Sequence, residues 1–361
     1  MADDRQSRQP AAAAGNHQRR DAGPAARRCG HGATGQGKKM TTIAITGIGG
    51  FIGLRMLQRA RERGWQVRGL DVSPAAAQRA RDAGAEVFAG DINDAALLAR
   101  CFAGADIVFH TAAIVEEDGA RELYERVNVE GTRSVCRTAQ ALGVRQMVQL
   151  SSVMVYGFDY PDGVTEEGPF RDDGNIYNET KLRSERVAME FHRPGAFEVI
   201  VIRPGDVYGT GSVPWVLRPI ALLQQRLFTL PDGGQGVINH VHVDNLLDGV
   251  FLALEKNAGG ECFTISDGVA TPCREFFGYH ARMLGRERVP TAPGALLIAL
   301  VGALAWGYRL FGRKPPASAA GIHFLRRRGA YSIDKARRQL GYVPKVSLEQ
   351  GMAEIARERR R

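Results

Sequence analysis

Tyr177 and Lys181 stand four residues apart, a Y-x-x-x-K spacing in a segment patterned as a helix. One helical turn separates them, so the phenol and the ammonium share a face. A phenol with a cation nearby has a lowered pKa and can pass a proton to or from an alcohol or carbonyl oxygen. The spacing alone decides little, because the nine Tyr and seven Lys of this chain produce it by chance at a rate of roughly 0.2 per chain. Position adds weight. Ser151 and Ser152 close the run Gln146–Ser151, read as a strand, and Tyr177 follows Ser152 by twenty-five residues. The carboxyl ends of strands are where open α/β sheets present their ligands.

A second group of residues has a different chemistry. Thr46-Gly47-Ile48-Gly49-Gly50-Phe51-Ile52-Gly53 lies between a short apolar strand and a helical segment. Gly47 permits a tight turn, Gly50 lets backbone approach a pyrophosphate, and Gly53 lets the helix pack closely on the sheet. The helix N-terminus then offers free N–H groups and its positive dipole end to the phosphates. Glycines also serve ordinary turns, and it is the strand–turn–helix context that makes this a dinucleotide site. Asp71 ends the second strand, eighteen residues after Gly53, and is followed by Val72, Ser73 and Pro74 with no Arg. A carboxylate there accepts hydrogen bonds from ribose hydroxyls and repels a 2′-phosphate, so NAD is expected ahead of NADP. The plainer alternative has Asp71 capping the next turn.

These residues need a frame, and the hydrophobic pattern supplies one. Strands are expected at Thr41–Thr46, Gln66–Asp71, Ala85–Phe88, Asp106–His110, Gln146–Ser151 and Phe197–Arg203. Helices are expected between them at Phe51–Arg63, Pro74–Ala83 and 121–142. Such alternation implies parallel crossovers and an α/β fold: a Rossmann-type doubly wound parallel sheet with a smaller C-terminal substrate-binding region. The expected boundaries are a disordered extension over 1–39, an NAD-binding domain over 40–204 to which 236–256 returns, and a substrate region from 205–235 and 257–361. That last region includes an apolar helix over 292–311.

Further motifs join the glycine turn: Asp91, His110-Thr111-Ala112-Ala113, Asn128-Val129-Glu130-Gly131-Thr132, Ser151-Ser152-Val153-Met154-Val155-Tyr156-Gly157 and Tyr177-Asn178-Glu179-Thr180-Lys181. Arg203-Pro204-Gly205-Asp206-Val207-Tyr208-Gly209 and His242-Val243-Asp244-Asn245 follow. With them the chain resembles the extended short-chain dehydrogenase/reductase family (the NAD-dependent epimerase/dehydratase superfamily) over about Thr41 to Arg357. The resemblance implies a catalytic set of Ser152, Tyr177 and Lys181. Lys181 would hold the nicotinamide ribose and lower the pKa of Tyr177; Tyr177 would be the acid or base; Ser152, three residues before Val155, would bond the same substrate oxygen. It also implies cofactor contacts from Gly47, Gly50, Phe51, Ile52, Gly53, Asp71, Asp91, Ile92, Thr111, Ala112, Ala113, Asn128, Tyr177, Lys181, Arg203 and Pro204.

The same resemblance narrows the branch. Val153 and Met154 stand where sugar-nucleotide dehydratases carry an acid pair, and Arg203-Pro204-Gly205-Asp206 lacks the Asn usual in sugar-nucleotide epimerases. These features, with the apolar Ala295–Trp306 segment, Lys314-Pro315-Pro316, Tyr331–Arg337 and Leu340–Pro344, are similar to the branch of 3β-hydroxysteroid dehydrogenases, sterol C4-decarboxylases and dihydroflavonol reductases. Hydride transfer between NAD and a hydrophobic, 3β-hydroxysteroid-like secondary alcohol or ketone is the implied reaction. A nucleotide-sugar epimerase and a non-catalytic NAD-binding scaffold or sensor are the alternatives.

Composition limits the partners. The formal charge is +9, but residues 1–39 hold eight Arg or Lys against three Asp and so carry +5 of it. A basic groove is not implied, no nucleic-acid partner is expected, and Arg326–Arg328 and Arg359–Arg361 read as solvated. Cys29, Cys101, Cys136, Cys262 and Cys273 include no C-x-x-C pair, and His240 and His242 have no evident co-ligands. No metal is therefore expected, and a reducing, cytoplasmic setting fits. Residues 289–308 contain no charge, and Ala295–Trp306 is apolar on every face. Such a helix is buried or in lipid. Burial, or lining the substrate site, is the first expectation; peripheral membrane contact through 292–311, with Arg309, Arg313 and Lys314 near headgroups, is the second, and a true span is the third. A small hydrophobic molecule is the expected substrate partner, and a homodimer is admitted as an assembly.

Overall fold

A computed structural model describes residues 40–115, 119–310 and 319–360. The expectation of disorder over 1–39 lies outside the described residues. Strand β1 (Thr42–Thr46) is buried along its whole length, as a continuous apolar run covered on both faces should be. Helix α1 (Phe51–Glu62), β2 (Gln66–Asp71), α2 (Pro74–Asp82), β3 (Glu86–Ala89), α3 (Ala95–Phe102) and β4 (Ile107–His110) follow in strict alternation. Local chemistry starts the helices: Ser73 caps α2 with Pro74 in its first turn, and Asp94 caps α3.

The expected single helix over 121–142 is divided. α4 (Arg121–Tyr124) runs into a wide π turn at Glu125–Glu130 before α5 (Gly131–Ala141). The π turn holds Asn128, whose amide is bonded outside the helix to Ile114 and Thr180. β5 (Gln146–Leu150), α6 (Ile176–Glu190) and β6 (Glu198–Pro204) complete the expected frame.

The later chain is less regular. It contributes β7 (Asp206–Tyr208), α7 (Arg218–Gln224), β8 (Leu230–Pro231), β9 (Val237–Ile238), β10 (His240–His242) and α8 (Val243–Glu255). Then come β11 (Cys262–Ile265), β12 (Thr271–Pro272), α9 (Cys273–Met283), β13 (Thr291–Ala292), α10 (Gly294–Leu310), α11 (Ala319–Phe324) and α12 (Leu348–Glu358). β7 pairs with β10, β9 with β12 and β8 with β13, as two-stranded ribbons.

The main sheet has seven strands in the order β11-β6-β5-β4-β1-β2-β3, all parallel. Order reverses between β1 and β4, and the crevice at that switch is where doubly wound sheets take ligands. Within β1, Ile43 and Ile45 pack toward the side that holds α1 and α8, while Ala44 packs toward the side of α3 and α5. The seventh strand corrects the sequence boundaries, which left 257–361 outside the sheet. Cys262–Ile265 is only four residues long, too short for periodicity to announce, yet Phe263 and Ile265 are fully buried beside β6.

α10 overturns the first expectation for the apolar segment. It is neither deeply buried nor enclosed: Leu296, Leu300, Leu304 and Trp306 are exposed. No described helix is long and apolar enough to cross a membrane.

Candidate active site

The ends of β1, β4 and β5, the first turn of α1 and the N-terminal half of α6 form the site. Gly47 turns the chain at φ +69°, a conformation that L side chains rarely adopt, and a side chain there would press on the Ala112 backbone. The segment Thr111–Ala113 after β4 thus runs directly beside the glycine turn. A side chain at Gly53 would collide with the Gly47 carbonyl, and one at Gly49 with the Ala76 backbone. Phe51 lays its ring against Gly209 and Gly211. Asp71 is nearly buried. Its Oδ2 accepts from Gly49 N at 3.0 Å and its Oδ1 from Ser73 N at 3.0 Å. It therefore does cap the next turn, and each oxygen keeps a lone pair for a further donor.

His110 ties the strand ends together. Thr132 donates its hydroxyl to Asn128 O at 2.7 Å, so His110 Nε2 donates to Thr132 Oγ1 at 3.0 Å and Nδ1 accepts from Thr46 Oγ1 at 2.7 Å. Burial, with Lys181 adding to it, pushes the imidazole down to about 3. His110 is therefore neutral and joins β1, β4 and α5. Although His110 heads one of the motifs above, sequence reading gave it no role.

Ser152 follows β5 and caps a short 3-10 turn, Val153–Tyr156, by accepting from Met154 N at 3.1 Å. Asn175 caps α6, accepting from Tyr177 N at 2.9 Å and Asn178 N at 3.3 Å, which sets Tyr177 in the first turn of the helix. The Tyr177 phenol stands beside Ser152. Burial pushes the phenol up to about 12, while the Ser152 hydroxyl works in the opposite direction. One turn on, the buried Lys181 ammonium donates to Leu150 O at 2.7 Å at the end of β5. Burial lowers it to about 8 against the pull of Glu185. The electrostatic lowering of Tyr177 by Lys181 is thus not the dominant effect here; desolvation is.

Other expected residues hold the frame through their side chains. Asn128 Oδ1 accepts from Ile114 N at 2.8 Å, and its Nδ2 donates to Ile114 O at 3.2 Å and Thr180 Oγ1 at 3.1 Å. Asp91, after β3, accepts from Asn93 N at 2.9 Å and pairs with Arg126. Ile92 is buried against Gly131. Arg203, near the end of β6 beside Pro204, is buried, and its guanidinium makes four hydrogen bonds. It grips Glu185 with Nε at 2.9 Å and Nη2 at 2.6 Å, and Nη1 donates to Tyr156 Oη at 3.0 Å and Glu166 O at 2.9 Å. Burial works to lower its pKa, and the Glu185 carboxylate outweighs that and raises it. The Arg203 guanidinium is thus a strut between β6, α6 and the loop at Glu166. The sequence holds no sign of this, since nothing pairs Arg203 with Glu185 before folding.

Two more residues were missed. Arg79 on α2 donates to Gly49 O at 3.1 Å, beside the glycine turn. Arg327, read from sequence as solvated, is instead fully buried, and its Nη2 bonds Asp206 Oδ2 at 2.8 Å. Arg326 keeps to the surface, paired with Asp232 at 2.7 Å. His240 is consumed by Asp267 at 2.9 Å and Thr271 at 2.9 Å, and no group suited to a metal occurs among the described residues.

The arrangement couples a phenol and a hydroxyl, at the mouth of a crevice, with a glycine turn shaped for a pyrophosphate. A family model for the NAD dependent epimerase/dehydratase family matches residues 43–266. The chain belongs to that family. Its cofactor is NAD, and the cradle fits the group: side chains at Gly47, Gly49 and Gly53 would press on backbone, and Asp71 has acceptor capacity to spare. Ser151 Oγ, Gln149 Oε1 and both amide atoms of Asn178 are buried without a partner near the β5–α6 junction, as polar atoms beside a ligand site often are.

This family member is 29% identical to a 4-hydroxy-2-methyl-3-oxo-4-farnesyl-3,4-dihydroquinoline-1-oxide ketoreductase of Stigmatella aurantiaca, over 85% of this chain and 93% of that protein. It is 29% identical to a 3-beta-hydroxysteroid dehydrogenase of Mycolicibacterium neoaurum, covering 86% and 89% respectively. Among solved structures, a dTDP-glucose 4,6-dehydratase from Streptomyces venezuelae with NAD bound superposes with a TM-score of 0.70 at 26% identity, over 89% and 97%.

Proposed function

We propose that this oxidoreductase moves hydride between NAD and a hydrophobic secondary alcohol or ketone of 3β-hydroxysteroid-like shape, with Ser152, Tyr177 and Lys181 as its catalytic residues. The placement of the Ser152 hydroxyl beside the Tyr177 phenol carries this reading, because two neighbouring hydroxyls can both bond one substrate oxygen. Bound NAD supplies the hydride acceptor or donor. The chain's own residues do the rest. In reduction the neutral Tyr177 phenol gives its proton to the carbonyl oxygen, and Ser152 stabilises the charge that develops there. In oxidation Tyr177 takes the alcohol proton. Lys181, charged below about pH 8, would hold the nicotinamide ribose. The Gly47–Gly53 turn would hold the pyrophosphate, and Asp71 would hold the adenosine ribose and disfavour NADP.

The substrate class rests on surroundings and relatives. A cavity of about 450 Å³ opens beside Asn175, the cap of the Tyr177 helix, and is lined by Phe158, Asp159, Asp173, Ala320 and His323. The Arg203 guanidinium is already bound to Glu185, so it is not free to hold a diphosphate. That disfavours a nucleotide sugar. The ketoreductase and the steroid dehydrogenase named above point to apolar substrates as well.

NAD reduction should be screened against 3β-hydroxysteroids, long-chain hydroxy acids and UDP-sugars. Turnover of the steroids or hydroxy acids is expected, with a higher kcat/KM for NAD than for NADP. Turnover of UDP-sugars alone would replace this reading with an epimerase. NAD binding without turnover of any alcohol would make the chain a scaffold or sensor.

A further inference from the structure

We propose that Arg327 is a positioning residue for the reaction: it fixes the turn that carries Ser152 relative to the α11 wall of the cavity. The proposal rests on the assignment of Ser152 given above.

The Arg327 side chain is fully buried and is bonded along its whole fork. Nη2 donates to Asp206 Oδ2 on β7 at 2.8 Å. Nη1 donates to Tyr331 Oη at 3.1 Å and faces Met154 Sδ at 3.8 Å. Nε donates to Phe324 O at 3.1 Å, and the guanidinium lies over the Phe324 ring, 3.4 Å from its centroid. One side chain thus touches β7, the last residue of α11 and the turn Val153–Tyr156.

Two of these three belong to the site. Met154 N donates to Ser152 Oγ at 3.1 Å, so the residue that Arg327 touches is the one that orients the Ser152 hydroxyl. Phe324 ends α11, which supplies Ala320 and His323 to the cavity beside Asn175. Tyr331 widens the grip. Its ring stacks on Tyr160 at 4.5 Å and leans on Tyr156, the last residue of the turn, at 5.5 Å. Val153, Val155 and Tyr156 pack with these rings in one buried cluster. Ser152 lies past the end of β5, so packing and not strand pairing seats the turn that carries it.

Stability alone does not account for an ion pair at this place. Apolar side chains of similar volume often match or better a buried ion pair. What they lack is direction. A guanidinium is a rigid planar fork of five donors, so its partners are held at fixed angles to one another. Reaction rates depend on such angles: a displacement of about 1 Å in a reacting group costs on the order of 10²-fold. A Lys at 327 could meet Asp206, but one ammonium cannot span Asp206, Tyr331 and the Phe324 carbonyl together.

The test uses the full chain and two variants that keep the buried charge balanced. Asp206→Asn with Arg327→Met removes both charges, and Arg327→Lys retains both. Hydrogen–deuterium exchange read by mass spectrometry follows the turn directly. In both variants, exchange over 152–157 is expected to speed up at least about tenfold, while peptides from β1 to β4 keep parental rates. With NAD and the alcohol that the NAD screen finds best, kcat should fall at least about tenfold. The paired substitutions placed on Ser152→Ala should lower kcat no further, because the hydroxyl they misplace is already gone. Parental protection over 152–157 in both variants would overturn the proposal. Faster exchange spread evenly through β1 to β4 would also overturn it, leaving Arg327 a structural role alone. An undiminished further loss on Ser152→Ala would do the same. A parental kcat in Ser152→Ala itself would instead withdraw the assignment of Ser152 and the proposal with it, while the exchange rates would still report whether Arg327 holds the turn.

Discussion

At the scale of single residues, the proposed chemistry rests on Tyr177. Tyr177→Phe keeps the ring and its packing but removes the proton. Its kcat is expected to fall by about 10²–10⁴ while NAD affinity is unchanged. Stopped-flow turnover and calorimetric NAD titration check this together, and retained turnover would remove Tyr177 from the mechanism. The pH dependence follows from burial. With the phenol held near 12, its base form is scarce at neutral pH. Alcohol oxidation needs that form, so its kcat/KM should climb with pH through the alkaline range, whereas reduction uses the neutral phenol and should not climb. An oxidation profile flat between about pH 7 and 10 would contradict the assignment. Tyr177, Lys181 and the glycine turn were legible in the sequence because spacing and strand–turn–helix context are local. The committed state of Arg203 was not legible, because its partners Glu185 and Glu166 are distant in sequence and meet it only in the fold.

At the scale of elements, buried polar struts align the strand ends. Glu185→Gln leaves the Arg203 guanidinium buried without its counter-charge. A stability loss of about 3–5 kcal/mol is expected in urea melts. An unchanged urea midpoint would show that the pair braces nothing. His110 gives an acid-linked term. Its folded pKa of about 3 lies below the ordinary histidine value of about 6.5. The unfolded chain therefore binds a proton that the folded chain refuses as pH falls through that window. Stability is full above about 6.5 and declines toward 3, so His110→Gln should show a shallower acid decline than the parent, measured by denaturant melts across that range. The π turn at Glu125–Glu130 belongs to this scale too. Hydrophobic period alone cannot distinguish it from a plain helix, since what accompanies it is the Asn128 amide bonding outside the helix.

At the scale of the whole molecule, a buried ion pair helps to tie the C-terminal chain to the body of the fold, beside the Asn245 and Tyr342 hydrogen bonds. Arg327 reaches Asp206 on β7, and Arg327 Nη1 also donates to Tyr331 Oη at 3.1 Å. Arg327→Met leaves the Asp206 charge buried and uncompensated and should destabilise the protein by about 3–5 kcal/mol, with recovery when Asp206→Asn is added. Thermal melts of the single and double variants measure it, and an unchanged single variant would show that the pair holds nothing. Charge counting from sequence could not find this strut. Arg326, Arg327 and Arg328 are chemically alike, and only the fold decides which one faces inward.

The sequence by itself determined the doubly wound frame, the cofactor turn, Asp71 at the end of β2 and the Tyr177–Lys181 pair. Each of these depends on residues close in the chain or on the period of an element, and such signals survive without a third dimension. Tertiary structure alone decided that Cys262–Ile265 is a seventh strand, that Asn128 and Arg203 brace the site, that Arg327 is buried and that α10 is exposed. Burial depends on what packs opposite. An apolar helix reads the same in sequence whether its neighbour is a protein core, a second chain or a lipid surface, and only the surrounding elements show that the core of this fold closes without it.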